Sequence, residues 1–149
     1  MSIRVVLIDQ TQVWRLNGNL HREDGPAVIR VDGKQEWWIN GKRHREDGPA
    51  VIWPSGTQEW YINGELHRED GPAIIYYNGA QSWLINNRLH RDGGPAIICK
   101  GGSQCWYNNG RLYRKDGLPH TLNKTDNTME FANGKIVPMS ADDYEKYKY

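Results

Sequence analysis

The sequence holds two cysteines and one phenylalanine in 149 residues, and apolar side chains make up only 38% of it. Cys99 and Cys105 are too few for a disulfide scaffold at this length, so a reduced, cytoplasmic setting is expected. Charge of one sign is missing as well. Nineteen Lys plus Arg against eighteen Asp plus Glu leave a formal +1. That supplies neither the basic field of a sequence-independent nucleic-acid binder nor the acidic field of a nucleic-acid mimic, and nucleic acid is not the expected partner. Long apolar runs are absent: Val5 to Ile8, behind the single Arg4, is too short for a signal-peptide core or a spanning helix. A mean hydropathy of -0.81 excludes a thick aliphatic core. In its place stand seven Trp, eight Tyr and sixteen Gly, ordered too regularly for a disordered chain.

The order is a repeat. Trp14, Trp37, Trp60, Trp83 and Trp106 fall 23 residues apart, as do His21, His44, His67 and His90, with Tyr113 in the fifth place. Gly33, Gly56, Gly79 and Gly102 keep the same step, and so do the Gly-Pro-Ala triplets that begin at Gly25, Gly48, Gly71 and Gly94. The fifth copy breaks register at Gly117-Leu118-Pro119. Within one copy, Pro49 to Trp53 and Thr57 to Ile62 are β-branched and aromatic runs bounded by Pro54-Ser55-Gly56 and Asn63-Gly64, which reads as a β-hairpin. A third strand at Glu65 to Gly71 is disfavoured, because an odd number of antiparallel strands would reverse direction at each copy and prevent equivalent stacking. One hairpin and a connecting loop per copy, with Leu66 extending the pairing near the turn, predicts an elongated all-β antiparallel meander. It advances about 10 Å per repeat.

The run Glu36-Trp37-Trp38-Ile39-Asn40-Gly41-Lys42-Arg43-His44 resembles the MORN repeat, a hairpin unit of the same length, and the resemblance extends from about Gln12 to Val137. His44-Arg45-Glu46-Asp47-Gly48-Pro49-Ala50 departs from the Gly-rich ending of that family and is similar to repeat proteins of bacteriophages and large viruses. The resemblance implies a scaffold or binding protein, with a small viral factor that occupies a host defence protein as its setting.

Strand alternation separates two faces. Gln35, Trp37 and Ile39, with their equivalents Gln58-Trp60-Ile62 and Gln81-Trp83-Ile85, are expected to form the packing face, joined by Ala50 and Ile52. The opposite face is where copies differ: Arg15, Trp38, Tyr61, Leu84 and Tyr107 after the recurring Trp, and Arg30, Trp53, Tyr76 and Cys99 in the first strand. Trp, Tyr and Arg carry most interface hot spots. Arg15, Arg30, Trp38, Trp53, Tyr61, Tyr76, Leu84 and Tyr107 are therefore the candidate partner-binding residues. A protein partner is the leading expectation, with a homodimer through the same face as the other occupant. A small anionic or nucleotide ligand, held by Arg15 or Arg30 beside Trp38 and Trp53, is the second reading.

The His-Arg-Glu-Asp loops offer acid, base and ligand types, but spacing argues against catalysis and metal. Histidines one repeat apart lie about 10 Å from each other, whereas two ligands of one zinc ion are separated by about 3 to 4 Å. No enzyme activity, metal or cofactor is expected. The structural reading of the loop has Asp47-Gly48 making the turn, Pro49 setting the following strand, Arg45 pairing with a neighbouring acid and His44 bonding a backbone carbonyl. A grip on an extended anionic ligand is the alternative. At the ends, Met1 to Asp9 reads as an edge strand, and Ser140 to Asp143 has the form of a capping box opening a helix from Ala141 to about Tyr147, as an end cap or a partner-binding tail.

Overall fold

The computed structural model describes residues 3–6, 9–114 and 118–148. Met1, Ser2, Leu7 and Ile8 of the expected N-terminal strand, and Lys115 to Gly117 of the fifth loop, lie outside the described residues. The chain is an all-β elongated array with one short C-terminal helix. Its main sheet, fourteen strands among the described residues, is antiparallel and runs essentially in chain order. Ile3–Val6 pairs with Gln12–Leu16, so the N-terminal segment is the expected edge strand. From there each repeat adds two strands: Val28–Ile29 and Gln35–Glu36, then Val51–Ile52 and Gln58–Glu59, Ile74–Ile75 and Gln81–Ser82, Ile97–Ile98 and Gln104–Cys105. Thr121–Asn123, Thr128–Glu130 and Ile136–Pro138 complete it.

The register repeats with the sequence. Ile29, Gln35, Ile52, Gln58, Ile75, Gln81, Ile98 and Gln104 are successive cross-strand partners, so one face carries an alternating Ile/Gln ladder. The other face carries Val28, Glu36, Val51, Glu59, Ile74, Ser82, Ile97 and Cys105. Within each unit the two strands meet at a turn such as Trp53 to Thr57, where Gly56 at φ 92° donates to Trp53 O and Trp53 N–H donates to Thr57 O. The positive φ is why glycine recurs at this place.

One hairpin per repeat is corrected to two. The second main-sheet strand ends at the recurring Trp: Trp37 N–H turns to Ala50 O at 2.8 Å, and its carbonyl accepts from His44 N–H at 3.1 Å. Beyond this break the chain forms a separate ribbon, Trp38–Ile39 with Lys42–Arg43, closed by Asn40-Gly41 at φ 49° and 79°. Tyr61–Ile62 with Glu65–Leu66, Leu84–Ile85 with Arg88–Leu89, and Tyr107–Asn108 with Arg111–Leu112 repeat it. The Glu65–Leu66 segment is thus a strand after all. The parity requirement still holds, because four strands per repeat is an even number. Adjacent ribbons are tied through Gly41 N–H to Leu20 O and Gly64 N–H to Arg43 O, each at 2.8 Å.

Burial is thin in the middle of the array. Ala27, Ala50, Ala73 and Ala96 are fully buried where each loop returns to the sheet, whereas Trp14, Trp37 and Trp60 are only half-buried and Trp83 and Trp106 are buried. An arginine does for each Trp what a second layer would do elsewhere. Arg45 stacks on Trp37 at 4.2 Å, its Nε donates to Asp47 Oδ1 at 2.8 Å, and its Nη1 donates to Pro49 O. A Cβ on Gly48 would stand 3.0 Å from the Arg45 guanidinium carbon, so the glycine of Gly-Pro-Ala is kept bare by this packing. The same stack recurs at Arg22 on Trp14, Arg68 on Trp60, Arg91 on Trp83 and Arg114 on Trp106, between 3.9 and 4.3 Å.

The capping box at Ser140 and Asp143 is formed and the helix spans Ala141–Tyr147. Tyr144 joins Trp106, Leu122 and Met139 in a buried cluster, with Met129 and Tyr147 against it, and Tyr144 OH donates to Gly102 O at 2.8 Å. The helix therefore packs across the last repeat as a cap on its apolar surface.

Candidate interaction surface

The two sides of the array differ in what they expose. On the loop side, Arg22, Arg45 and Arg68 are each held by a ring, an aspartate and a proline carbonyl, so the outward charge is the aspartates and glutamates. Glu23, Asp24, Glu46, Asp47, Glu69 and Asp70 project almost fully into solvent. Asp24, Asp47 and Asp70 are held below the usual carboxylate range by the hydrogen bond, and then by the charge, of their arginines. Between successive loops lie grooves of about 740, 590 and 410 Å³, floored by Trp37 and Ile39, Trp60 and Ile62, and Trp83 and Ile85. Trp and Ile of one copy do share a side, as strand alternation requires.

The histidines tie repeats together rather than cap a carbonyl, which corrects the expected partner. Asn40, Asn63 and Asn109, in the turn of the following repeat, donate their backbone N–H to Nδ1 of His21, His44 and His90 at 3.1 to 3.3 Å. Nδ1 of His21 and His67 also lies 3.0 and 2.7 Å from the side-chain Oδ1 of Asn40 and Asn86, and Nε2 faces Glu23, Glu46 and Asp92 at 3.4 to 3.6 Å. A turn asparagine with positive φ has its N–H facing back along the array, and only an acceptor can meet it there.

The opposite side carries the candidate residues. Glu36 is the centre: its side chain is 3% exposed, Lys34 Nζ reaches its Oε1 at 2.6 Å, Trp38 Nε1 donates to its Oε2 at 3.1 Å, and Arg43 and Arg30 stand at 3.6 and 3.9 Å. Burial by itself would raise the Glu36 pKa, but Lys34, Arg43 and the Trp38 indole outweigh it and hold the carboxyl below its usual range. One repeat on, Glu59 accepts from Trp53 Nε1 at 2.8 Å and from Tyr61 OH at 3.1 Å. Burial, then the Glu59 charge, raises the Tyr61 pKa. The two halves interlock, since Lys34 Nζ lies 3.6 Å over the Trp53 ring and Arg43 lies between the Trp38 and Tyr61 rings at 5.2 and 5.3 Å.

The structure thus joins Arg30, Trp38, Trp53 and Tyr61 into one network and separates the others from it. Trp38 and Tyr61 sit on ribbons, Trp53 and Tyr76 at hairpin ends of the main sheet. Tyr76 is exposed beside the network, Arg15 is exposed and bonds Gly18 O, and Tyr107 is half-buried beside the loop groove that holds Trp106 and Tyr113. Leu84 is 8% exposed and faces Leu89 across its ribbon, so it leaves the candidate surface for the interior. Sequence reasoning missed Lys34, Glu36, Arg43 and Glu59, and the hairpin-tip residues Val31 and Tyr77, exposed at 73% and 71%. Tyr77 N–H donates to Thr57 Oγ1, which places this tip against the tip that carries Trp53. The missing signal was present: Arg43 stands where other copies have Leu20, Leu66, Leu89 and Leu112, and Lys34 where they have Thr11, Thr57, Ala80 and Ser103. Comparison with family models and with curated proteins returns no match to this chain.

Among the described residues no group of three His, Cys, Asp or Glu side chains could hold a metal ion. No helix among them is long and apolar enough to cross a membrane, and both cysteines are free thiols.

Proposed function

We propose that the protein is a non-enzymatic interaction module whose variable face docks a protein partner, with a viral factor occupying a host protein as the setting its repeats imply. The observation that carries this reading is the set of Val31, Trp53, Tyr76 and Tyr77, exposed between 37% and 73% on three successive hairpin tips that are linked by Lys34 over Trp53 and by Tyr77 N–H to Thr57. Exposed apolar patches of this kind mark interaction sites. Glu36 and Glu59 bond the polar tips of Trp38, Trp53 and Tyr61 from within, so these rings are already oriented and little side-chain freedom remains to be lost on binding. None of Arg30, Trp38, Trp53 or Tyr61 lines the inter-loop grooves, which favours a protein surface over a small ligand, since small ligands are held in concave sites.

Affinity capture with the full chain and with Trp53→Ala, each checked for an unchanged thermal melt, tests the reading. Proteins retained by the parent and lost by the variant are expected. Recovery of the same set by both would remove the aromatic patch from the function.

A further inference from the structure

On the loop side of the array, and independently of the docking reading, we infer that the groove between the fourth and fifth loops binds a small organic anion. Its carboxylate or phosphate group sits on Arg91, and the ring that bears this group lies against Tyr113, Leu118 and Trp106. The fourth loop carries this. Arg22, Arg45 and Arg68 each donate Nε to an aspartate two residues on, at 2.8 Å. After Arg91 that place is held by Gly93. Arg91 keeps the other two contacts of its equivalents, the stack on Trp83 at 3.9 Å and the bond from Nη1 to Pro95 O at 3.2 Å. Its Nε meets no carboxylate among the described residues, since Asp92, the neighbouring acid, is 96% exposed and faces His90 Nε2 at 3.6 Å. Burial without a paired acid pushes the Arg91 pKa down. A guanidinium fixed by a ring and a carbonyl, with one edge unfilled, is the donor arrangement that an oxyanion meets with charge-assisted bonds.

The groove in front of Arg91 differs from those before it. Gly93 lines it at φ 74°, and a Cβ there would meet nothing within 4 Å, so the room of the missing aspartate is open. Its volume is about 400 Å³, and its described charged residues are Arg91, Arg114 and Asp92. The first two grooves are bordered by two arginines against four acids each. Tyr113 stands where those grooves have histidine, and Leu118 enters with the inserted residue; they are 50% and 37% exposed. Apolar walls around a polar anchor are the make-up of small-ligand sites. A bare inorganic anion leaves these walls unused, whereas a ring fills them.

The test is titration of the full chain with phenyl phosphate, phenylacetate and inorganic phosphate, read from the indole N–H resonances in NMR after assignment by single Trp→Phe variants. Gly93→Asp is titrated in parallel. It restores the acid that the first three copies carry beside their arginine, and its thermal melt is expected to match the parent. At least one ring-bearing probe should bind saturably, shift the Trp83 and Trp106 resonances, and bind Gly93→Asp about tenfold or more weaker, as loss of a charge-assisted bond implies. The tighter of the two names the head group as phosphate or carboxylate. Arg91→Lys, which keeps the charge and gives up the fork, should weaken it likewise and serves where Gly93→Asp melts early. No saturable binding by either ring-bearing probe, shifts confined to Trp38 and Trp53, or equal affinity in these variants and the parent would overturn the site. Inorganic phosphate binding as tightly as phenyl phosphate would overturn the organic ligand. The docking reading stands or falls separately, on Trp53→Ala.

Discussion

Replacing Glu36 by Ser, the residue that the fourth repeat carries at Ser82, removes the centre of the patch at a position where a small side chain fits the same register. Glu36 pairs with Val28 and Val51 as Ser82 pairs with Ile74 and Ile97. The substitution leaves Lys34, whose side chain is 8% exposed, without its 2.6 Å partner and strips the acceptor from Trp38 Nε1. Breaking a buried pair by removing one member costs about 3 to 5 kcal/mol. Lys34→Ala added to Glu36→Ser reproduces the Ala80 and Ser82 pair of the fourth repeat and removes the buried ammonium, leaving only the more exposed Arg43 and Arg30 without the carboxylate. About 2 kcal/mol should return, a coupling within the usual range for contacting residues. Urea unfolding followed by tryptophan fluorescence measures both, with a constant slope against urea required before midpoints are converted to free energies, because repeat arrays need not unfold in one step. If Glu36→Ser costs less than about 1 kcal/mol, or the double variant loses the sum of the single losses, the picture of Glu36 as the electrostatic keystone is wrong.

Other outcomes follow from the same geometry. Trp60→Ala should cost about 3 kcal/mol, the low end for a core Trp because its ring is half-buried beneath Arg68, and an unchanged melt would refute the role of the ladder. Asp24, Asp47 and Asp70 have pKa values below their ordinary 3.8 in the folded chain, so their contribution is complete above that pH and is lost as pH falls through the lowered values. The urea midpoint should fall on acidification below about 3.8, less so in Asp47→Asn than in the parent; an equal fall would show that the Arg45 pair adds nothing. Tyr144→Phe should lose about 1 kcal/mol with its bond to Gly102 O, read as a lower melting temperature of the C-terminal end, and no change would detach the helix from the cap.

Much of the fold was legible because every copy states it again. Asn-Gly turns, the glycine of each three-residue loop and the Ile/Gln alternation all report local backbone needs, which sequence expresses directly. The second hairpin was hidden by Trp37. Alternation of side chains continues through it, and only its hydrogen bonds, to Ala50 ahead and His44 behind, reveal that the strand has left the main sheet. The histidines misled for a related reason: their partner is the turn asparagine of the next repeat, 19 residues away, by its backbone for His21, His44 and His90 and by its side chain for His67.

Sequence alone sets the unit: its length, its turns, the pairing of its loop arginine with an acid, and the parity that lets copies repeat. Recurrence reports what every copy needs, and the candidate surface is made of what one copy does differently. Tertiary structure alone decided that Lys34 lies over Trp53, that Arg43 stands between Trp38 and Tyr61, and that Leu84 is buried. Those contacts cross from one repeat to the next, and their distances depend on register and on the fold of each ribbon against the sheet, which no single repeat's sequence contains.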